Sequence, residues 1–265
     1  MTVTKKAYAK INLTLEILGT KRGDGFHDIA SVMMKVSDLY DTVTVTQTQS
    51  GITLVCDKDV CAPEENLAYK AAQKCIALCG EKYGKSMGVS IDLKKSIPMG
   101  AGLAGGSSDA AALIDAVSEL CGGFTDEEKH GIAASLGSDI PFCLECHKVA
   151  LCKGRGEIIT DLADIKDVEI KVIMPKTPLF TKGIYAEYDS ENGDDYTKDK
   201  SIRMAELINK GAGVSELAPL MCNDFQSICE KRCPEIKEAA ESLKKEGFCS
   251  QMSGSGSAVF GIKKA

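Results

Sequence analysis

The chain has 265 residues, enough to bury one large core or two smaller ones, with 44% hydrophobic and 26% charged residues. Its net charge of −6, with basic residues joined only in pairs such as Lys5-Lys6 and Lys94-Lys95, excludes a nucleic-acid surface, and no apolar run approaches the ~20 residues of a membrane span. The opening Met1-Thr2-Val3-Thr4-Lys5-Lys6 has no apolar signal core, so the expectation is a soluble, cytoplasmic, two-lobed protein with a small-molecule substrate and neither nucleic acid nor membrane as partner.

Ala7 to Leu18 alternates apolar and polar residues and predicts a strand that places Lys10 and Asn12, two apart, on one face. A turn over Lys21 to Gly25 and the segment Phe26-His27-Asp28 lead to a half-buried strand at Asp41 to Thr46 and another at Gly51 to Cys56. Asn66 is placed to cap a helix running to about Tyr83, and Gly88 to Lys94 alternates as a further strand. Beyond Leu120, Thr125 opens a short helix, Ser138-Asp139-Ile140-Pro141-Phe142 interrupts the pattern, and strands are expected at Val149 to Lys153 and Glu157 to Thr160. The second half predicts a strand at Val168 to Met174, a helix at Lys182 to Tyr188, a polar loop at 189–195, and helices at 201–209, 224–231 and 234–245. A strand pair at 249–252 and 257–262 closes around the turn Ser253-Gly254-Ser255-Gly256.

Between the strand ending at Lys94 and the next helix lies Pro98-Met99-Gly100-Ala101-Gly102-Leu103-Ala104-Gly105-Gly106-Ser107-Ser108-Asp109. Glycines let backbone N–H groups close around anionic oxygens, and the helix that follows presents its positive dipole end. Ser107 and Ser108 are expected to cap that helix, whose apolar stripe runs Ala110, Leu113, Ile114, Val117, Leu120 up to Gly122-Gly123. A bound nucleotide is the expected ligand, although neither a Gly-Lys-Ser/Thr sequence nor a dinucleotide fingerprint is present. The twelve cysteines read as reduced core residues. Cys143-Leu144-Glu145-Cys146-His147 has the spacing of covalent haem attachment, which is rejected for want of an export segment, and a zinc site lacks a second close ligand pair.

Ala7-Tyr8-Ala9-Lys10-Ile11-Asn12-Leu13, Pro98 to Ser108 and Ser253 to Ser257 occur in the order of three motifs of the galactokinase, homoserine kinase, mevalonate kinase and phosphomevalonate kinase (GHMP) superfamily, which the chain resembles. Gly23 to His27, Gly102 to Ala111 and Gly137 to Phe142 look most like its 4-diphosphocytidyl-2-C-methyl-D-erythritol kinases. The resemblance implies an α+β, two-lobed fold, with a ribosomal-S5-domain-2-like N-terminal lobe (1–155) and a ferredoxin-like C-terminal lobe (156–265). It also implies ATP-dependent phosphorylation of the 2-hydroxyl of CDP-methylerythritol in the non-mevalonate isoprenoid route, with catalysis in the cleft between the lobes.

Carried onto this sequence, the resemblance makes Asp139 the acceptor of the hydroxyl proton and Lys10 the ammonium beside it. A carboxylate is a weak base toward an alcohol, so the proton would move late, as bond formation acidifies the hydroxyl. Lys10 and Asp139 are expected to meet beside the triphosphate. Asn66, Leu67 and Lys95 resemble adenine-side contacts, with Asn66 equally a helix cap, and Pro98, Met99, Gly100, Ala101, Gly102, Leu103, Ala104, Gly105, Gly106, Ser107 and Ser108 would hold the phosphates. Asn12, Phe26, His27 and Tyr185 would bind the acceptor, His27 at the cytosine edge and the two rings on its faces; Phe26 stands where the family commonly has Tyr. Magnesium is required on chemical grounds, with Ser107 as a neighbouring hydroxyl and no acidic cluster marking its site. The alternatives are another small alcohol as acceptor (homoserine, mevalonate or a sugar) or a non-catalytic nucleotide-binding relative.

Overall fold

The structure, a computed structural model, describes the chain except Thr20, Lys21, Asp24, Val60, Cys146, His147, Pro178, Phe180, residues 192–196 and the side chains of Thr181, Lys182 and Glu191. In chain order come strands β1 (Thr2–Asn12), β2 (Thr14–Leu18), β3 (Asp28–Thr48) and β4 (Ile52–Cys56), helix α1 (Leu67–Tyr83) and strand β5 (Gly88–Lys94). Helices α2 (Gly105–Cys121), α3 (Asp126–Leu136) and α4 (Ile140–Leu144) follow, then strands β6 (Val149–Gly154), β7 (Ile158–Asp161) and β8 (Val168–Ile173). Last are α5 (Thr181–Glu191), α6 (Lys200–Asn209), α7 (Val214–Leu217), β9 (Cys222–Asn223), α8 (Gln226–Arg232), α9 (Glu235–Lys245), β10 (Cys249–Met252) and β11 (Val259–Lys264). Strand β3 extends well before the expected Asp41 because Ile29, Ala30, Val32, Met33 and Met34 are buried on both faces and carry no alternation to read. The haem-like cluster reaches residues outside the described ones at Cys146 and His147, as does the polar loop from 192 onward.

The chain forms two compact units, each gathered from separate stretches. The first comprises Met1–Ala9, Val36–Met99 and Ala104–Cys146; the second comprises Lys10–Lys35, Gly100–Leu103 and His147–Ala265.

In the first unit the later half of β3 pairs antiparallel with β5 from Thr42↔Lys94 to Thr48↔Gly88, and β4 lies parallel on the other side of β5. Alternation turns Val43, Val45, Val89, Ile91 and Leu93 to one face, where α1 and α2 cover them. Small residues on α1 (Ala68, Ala71, Ala72, Cys75) let it approach α2 closely. Asn66 accepts a hydrogen bond from the Ala68 N–H as the cap of α1, and Thr125 with Glu128 forms a capping box on α3. The close packing of α1 and α2 joins Cys79 to Cys121 as a disulfide, their Cα atoms 6.3 Å apart, which corrects the expectation that all the cysteines are reduced.

In the second unit β2 and β6 each pair antiparallel with the early part of β3, β7 extends from β6, and β9 lies parallel to β2. A separate antiparallel sheet runs β10-β11-β8, covered by the apolar stripe Ile236, Ala239, Ala240 and Leu243 of α9. The buried Glu16 carboxylate accepts hydrogen bonds from the N–H groups of Lys200 and Ser201 and so satisfies the start of α6. The segment Gly100–Leu103 is threaded against the turn between β10 and β11: Ala258 N–H donates to the Ala101 carbonyl, and a Cβ on Gly102 would stand 2.1 Å from the Ser253 carbonyl oxygen.

Gly102 has φ +74° and no room for a methyl group, whereas Gly100, at φ +61°, has nothing within 4 Å of a Cβ. Gly102→Ala is therefore expected to cost roughly 3 kcal/mol or more, lowering the thermal midpoint by about 6–12 °C, against about 1–2 kcal/mol for Gly100→Ala. Thermal melts of the two variants check this; equal effects would contradict the close approach of the Ser253 main chain.

Candidate active site

Helix α2 starts two residues earlier than the expected serine cap, at Gly105, with Ala104 in the left-handed region (φ 57°) as its N-cap residue and no side-chain cap. Ser107 and Ser108 lie inside the first turn, which corrects their assignment as caps. Ser108 is buried, and its hydroxyl donates to the Tyr8 carbonyl (2.6 Å) and contacts Cys143 Sγ (3.2 Å). An α-helix leaves its first N–H groups without internal partners, so this start, reached from a glycine-rich loop, directs amides outward for an anion.

Asp139 is the N-cap residue of α4, whose first turn holds Pro141, and its side chain does not cap that helix. The Ser108 contact to Cys143, one helical turn beyond Asp139, ties α4 to the opening turn of α2 within the first unit. Lys95, expected beside adenine, is buried, and its ammonium bridges Asp41 Oδ2 and Asp109 Oδ2. Asp41 Oδ1 also accepts from the N–H groups of Ser96 and Ile97, at 2.5 and 2.7 Å. Burial disfavours the charge on Lys95, but the two carboxylates outweigh it and its pKa rises. Asp109 is pushed up to about 7 by burial, with the Lys95 charge opposing and the Asp41 carboxylate reinforcing. Sequence reasoning missed Asp41, which looks like an ordinary strand residue until pairing with β5 brings it beside Lys95.

In the second unit Lys10 and Asn12 do share a face. Lys10 Nζ donates to Asn12 Oδ1 (2.8 Å) and to the Gly102 carbonyl (3.0 Å), which also accepts from Ser253 Oγ (3.0 Å). Asn12 Nδ2 donates to Ser31 Oγ (2.8 Å), whose hydroxyl in turn donates to the Thr14 carbonyl. Both residues are buried, and a Cβ on Gly254 would stand 3.4 Å from Lys10 Nζ. The lysine head is thus aimed by Asn12, by one loop carbonyl and by the C-terminal glycine turn, a convergence of stretches far apart in sequence. Lys10 and Asp139 belong to different units.

His27 is buried in the second unit, its ring stacked on Tyr185 with centroids 5.3 Å apart. Its Nε2 lies 2.7 Å from Asp189 Oδ1 at an angle unsuited to a hydrogen bond. Tyr185 meets Phe225 edge-on at 4.6 Å. Phe26 is 47% exposed and stacks on the Arg155 guanidinium at 4.8 Å. Two flat rings, a histidine edge and a cation suit a planar polar ligand. Unanticipated from sequence is Lys198, which joins Asp224 (2.6 Å), the Tyr188 hydroxyl (2.7 Å) and the Ile17 carbonyl (3.1 Å) behind this cluster. Among the described residues no group of three His, Cys, Asp or Glu is placed to hold a metal ion, and no helix is long and apolar enough to cross a membrane.

Comparison with known proteins identifies the family. Residues 66–146 match the family described as GHMP kinases N terminal domain, and residues 204–264 match GHMP kinases C terminal. The chain is 38% identical over 259 residues to a 4-diphosphocytidyl-2-C-methyl-D-erythritol kinase of Desulfitobacterium hafniense (strain Y51), covering 97% of this chain and 85% of that one. A crystal structure of a 4-(cytidine 5'-diphospho)-2C-methyl-D-erythritol kinase superposes with a TM-score of 0.79 at 32% identity, covering 98% of this chain and 90% of that one. Homoserine kinase from Cytophaga hutchinsonii shares the fold alone, at a TM-score of 0.71 and 16% identity over 100% of this chain and 85% of that one.

The raised Asp109 pKa has a sign that can be checked. The folded chain keeps a proton up to about pH 7 that the unfolded chain releases near ~4, so this group's stabilising contribution is present in acid and lost as pH rises through that window. Asp109→Asn has nothing to titrate there. The thermal midpoint of the variant, relative to the parent, is expected to move in the variant's favour between about pH 5 and pH 8. A pH-independent difference would contradict the burial of an ionising carboxyl.

Proposed function

The chain belongs to the family of 4-diphosphocytidyl-2-C-methyl-D-erythritol kinases, and from that premise we propose that it transfers the γ-phosphoryl group of ATP to the 2-hydroxyl of CDP-methylerythritol, in the cytoplasm, as a step of isoprenoid precursor synthesis. The observation that carries this reading is the uncapped start of α2 at the end of a loop held in left-handed turns. Backbone amides with no internal partner, at the positive end of a 17-residue helix, form a cradle for a triphosphate.

Phosphoryl transfer asks mainly for alignment and for charge stabilisation around the moving group. Asp139 takes the proton of the acceptor hydroxyl as the new P–O bond forms. Lys10, aimed by Asn12, stabilises negative charge on the reacting oxygens; the role of Asn12 is therefore to orient the lysine. His27 reads the cytosine edge, with Tyr185 and Phe26 supplying flat surfaces for the base. Asn66 and Leu67, at the start of α1, serve the adenine side. With no carboxylate cluster among the described residues, the fit is to a magnesium ion that arrives on the triphosphate and keeps most of its waters, with Ser107 as the neighbouring hydroxyl. Such an ion neutralises phosphate charge. Fold alone does not choose the acceptor; family membership and the His27-Tyr185 cluster favour CDP-methylerythritol over homoserine, mevalonate or a sugar.

Incubation with ATP, magnesium and each of CDP-methylerythritol, homoserine, mevalonate and galactose tests the assignment. Transfer to CDP-methylerythritol alone is expected, and preference for another alcohol would overturn it. Lys10→Ala and Asp139→Asn are each expected to lower kcat by about a thousandfold or more while ATP affinity stays within a few-fold. Gly106→Asp should do the reverse. A Cβ there meets only Leu67 Cδ1 at 3.7 Å, and a carboxylate in the first helical turn suits the dipole, yet it repels phosphate. Stability is expected to hold, with the KM for ATP raised at least tenfold. His27→Ala is expected to raise the KM for CDP-methylerythritol about tenfold with that for ATP unchanged; equal losses would count against a base-reading histidine.

A further inference from the structure

We propose that Asp41, Lys95 and Asp109 form a buried positioning triad that sets the two stems of the phosphate loop and so governs ATP affinity without touching the nucleotide. The inference rests on the loop being the ATP cradle. All three residues lie in the first unit, with relative exposures of 0%, 7% and 2%, so the charges act on one another with little water between them.

Each member reaches a different part of the loop's base. Asp41, from β3, accepts the N–H groups of Ser96 and Ile97, the residues entering the loop, through one oxygen. Its other oxygen pairs with Lys95, which leaves β5, and Lys95 pairs in turn with Asp109 on the second turn of α2, just past the loop's exit. The Lys95 N–H is itself held by Asp57 Oδ1 at 2.9 Å. Entry and exit are in contact: a Cβ on Gly105 would stand 3.0 Å from Ile97 Cγ2 and 3.5 Å from Asp41 Oδ2. The triad thus spans a neck closed by Ile97 and Gly105. One oxygen of Asp109, Oδ1, is buried with no hydrogen-bond partner among the described residues.

Desolvation makes such a cluster a poor source of net stability, and apolar residues of similar volume would hold the core as well or better. What paired charges add is direction. A carboxylate that grips two successive N–H groups fixes the backbone entering the loop, and a shared ammonium fixes the helix leaving it. Between them the chain must hold Ala104 at φ 57°, a conformation that costs a non-glycine residue about 1–2 kcal/mol and relaxes once its ends are free to shift. Lys95, which the family resemblance implied beside adenine, then acts through the backbone.

Steady-state KM values for ATP and CDP-methylerythritol, with thermal midpoints, are measured for the parent, Lys95→Met, Asp41→Asn, the double variant Lys95→Met/Asp109→Leu, and Gly106→Asp as the loop control. Both single variants are expected to raise the KM for ATP about tenfold or more and to leave that for CDP-methylerythritol within about twofold. The double variant is expected to regain the thermal midpoint lost in Lys95→Met yet keep the raised KM for ATP, which a purely structural role would not produce. Should the single variants fail to fold, the double variant alone decides. An ATP KM near the parent value in folded variants overturns the triad, as does an ATP KM that recovers together with stability. An effect of Lys95→Met unmatched by Asp41→Asn makes Lys95 a direct nucleotide contact instead. If Gly106→Asp leaves ATP binding intact, the cradle reading itself has failed, and the triad with it; if only Gly106→Asp weakens ATP, the triad alone is wrong.

Discussion

The proposed chemistry depends on a helix that begins without a side-chain cap. Helices α1 and α3 satisfy their first N–H groups with the side chains of Asn66 and Thr125. Helix α2 does not: its opening residues are Ala104, Gly105 and Gly106, and the Ser108 hydroxyl that follows donates to the Tyr8 carbonyl instead. Such an end is costly in an empty protein and favourable once an anion arrives, which suits it to the triphosphate of the proposed reaction.

Each unit holds its own part of the loop by its own contacts. In the second, Gly102 is held against the Ser253 main chain while its carbonyl accepts from Lys10 and Ser253, so this loop residue and the lysine proposed to stabilise the reacting oxygens share one hydrogen-bond network. In the first, the carboxylate of Asp41 and the ammonium of Lys95 hold the stems. A buried ion cluster is a weak contributor to stability, yet it is directional where apolar contacts are not, and direction is what a ring of amides requires. The stacked His27 and Tyr185 follow the same logic for a flat base, with Phe225 and Lys198 packed behind them.

Features written in local periodicity were legible in the sequence. The alternation from Gly88 to Lys94 matches β5 residue for residue, Asn66 caps α1, and the two-residue spacing of Lys10 and Asn12 puts their head groups 2.8 Å apart. Features that depend on what lies opposite were not. The early part of β3 has no alternation because both faces are buried, and α7 and β9 are too short to carry a period. Ser107 and Ser108 have the composition of a cap, but a left-handed Ala104 moves the helix start forward, and Ser108 is drawn to the Tyr8 carbonyl. Asp41 and the Cys79–Cys121 pair likewise emerge only from tertiary pairing.

The direct test of the account is backbone amide hydrogen exchange across the chain, measured with and without a non-hydrolysable ATP analogue and magnesium. Slowed exchange is expected in peptides spanning 98–108, with the peptides of β8, β10 and α9 unaltered. Analogue binding that leaves 98–108 exchanging at its ligand-free rate would mean that the open end of α2 is not where the triphosphate sits, and the proposed chemistry would lose its foundation.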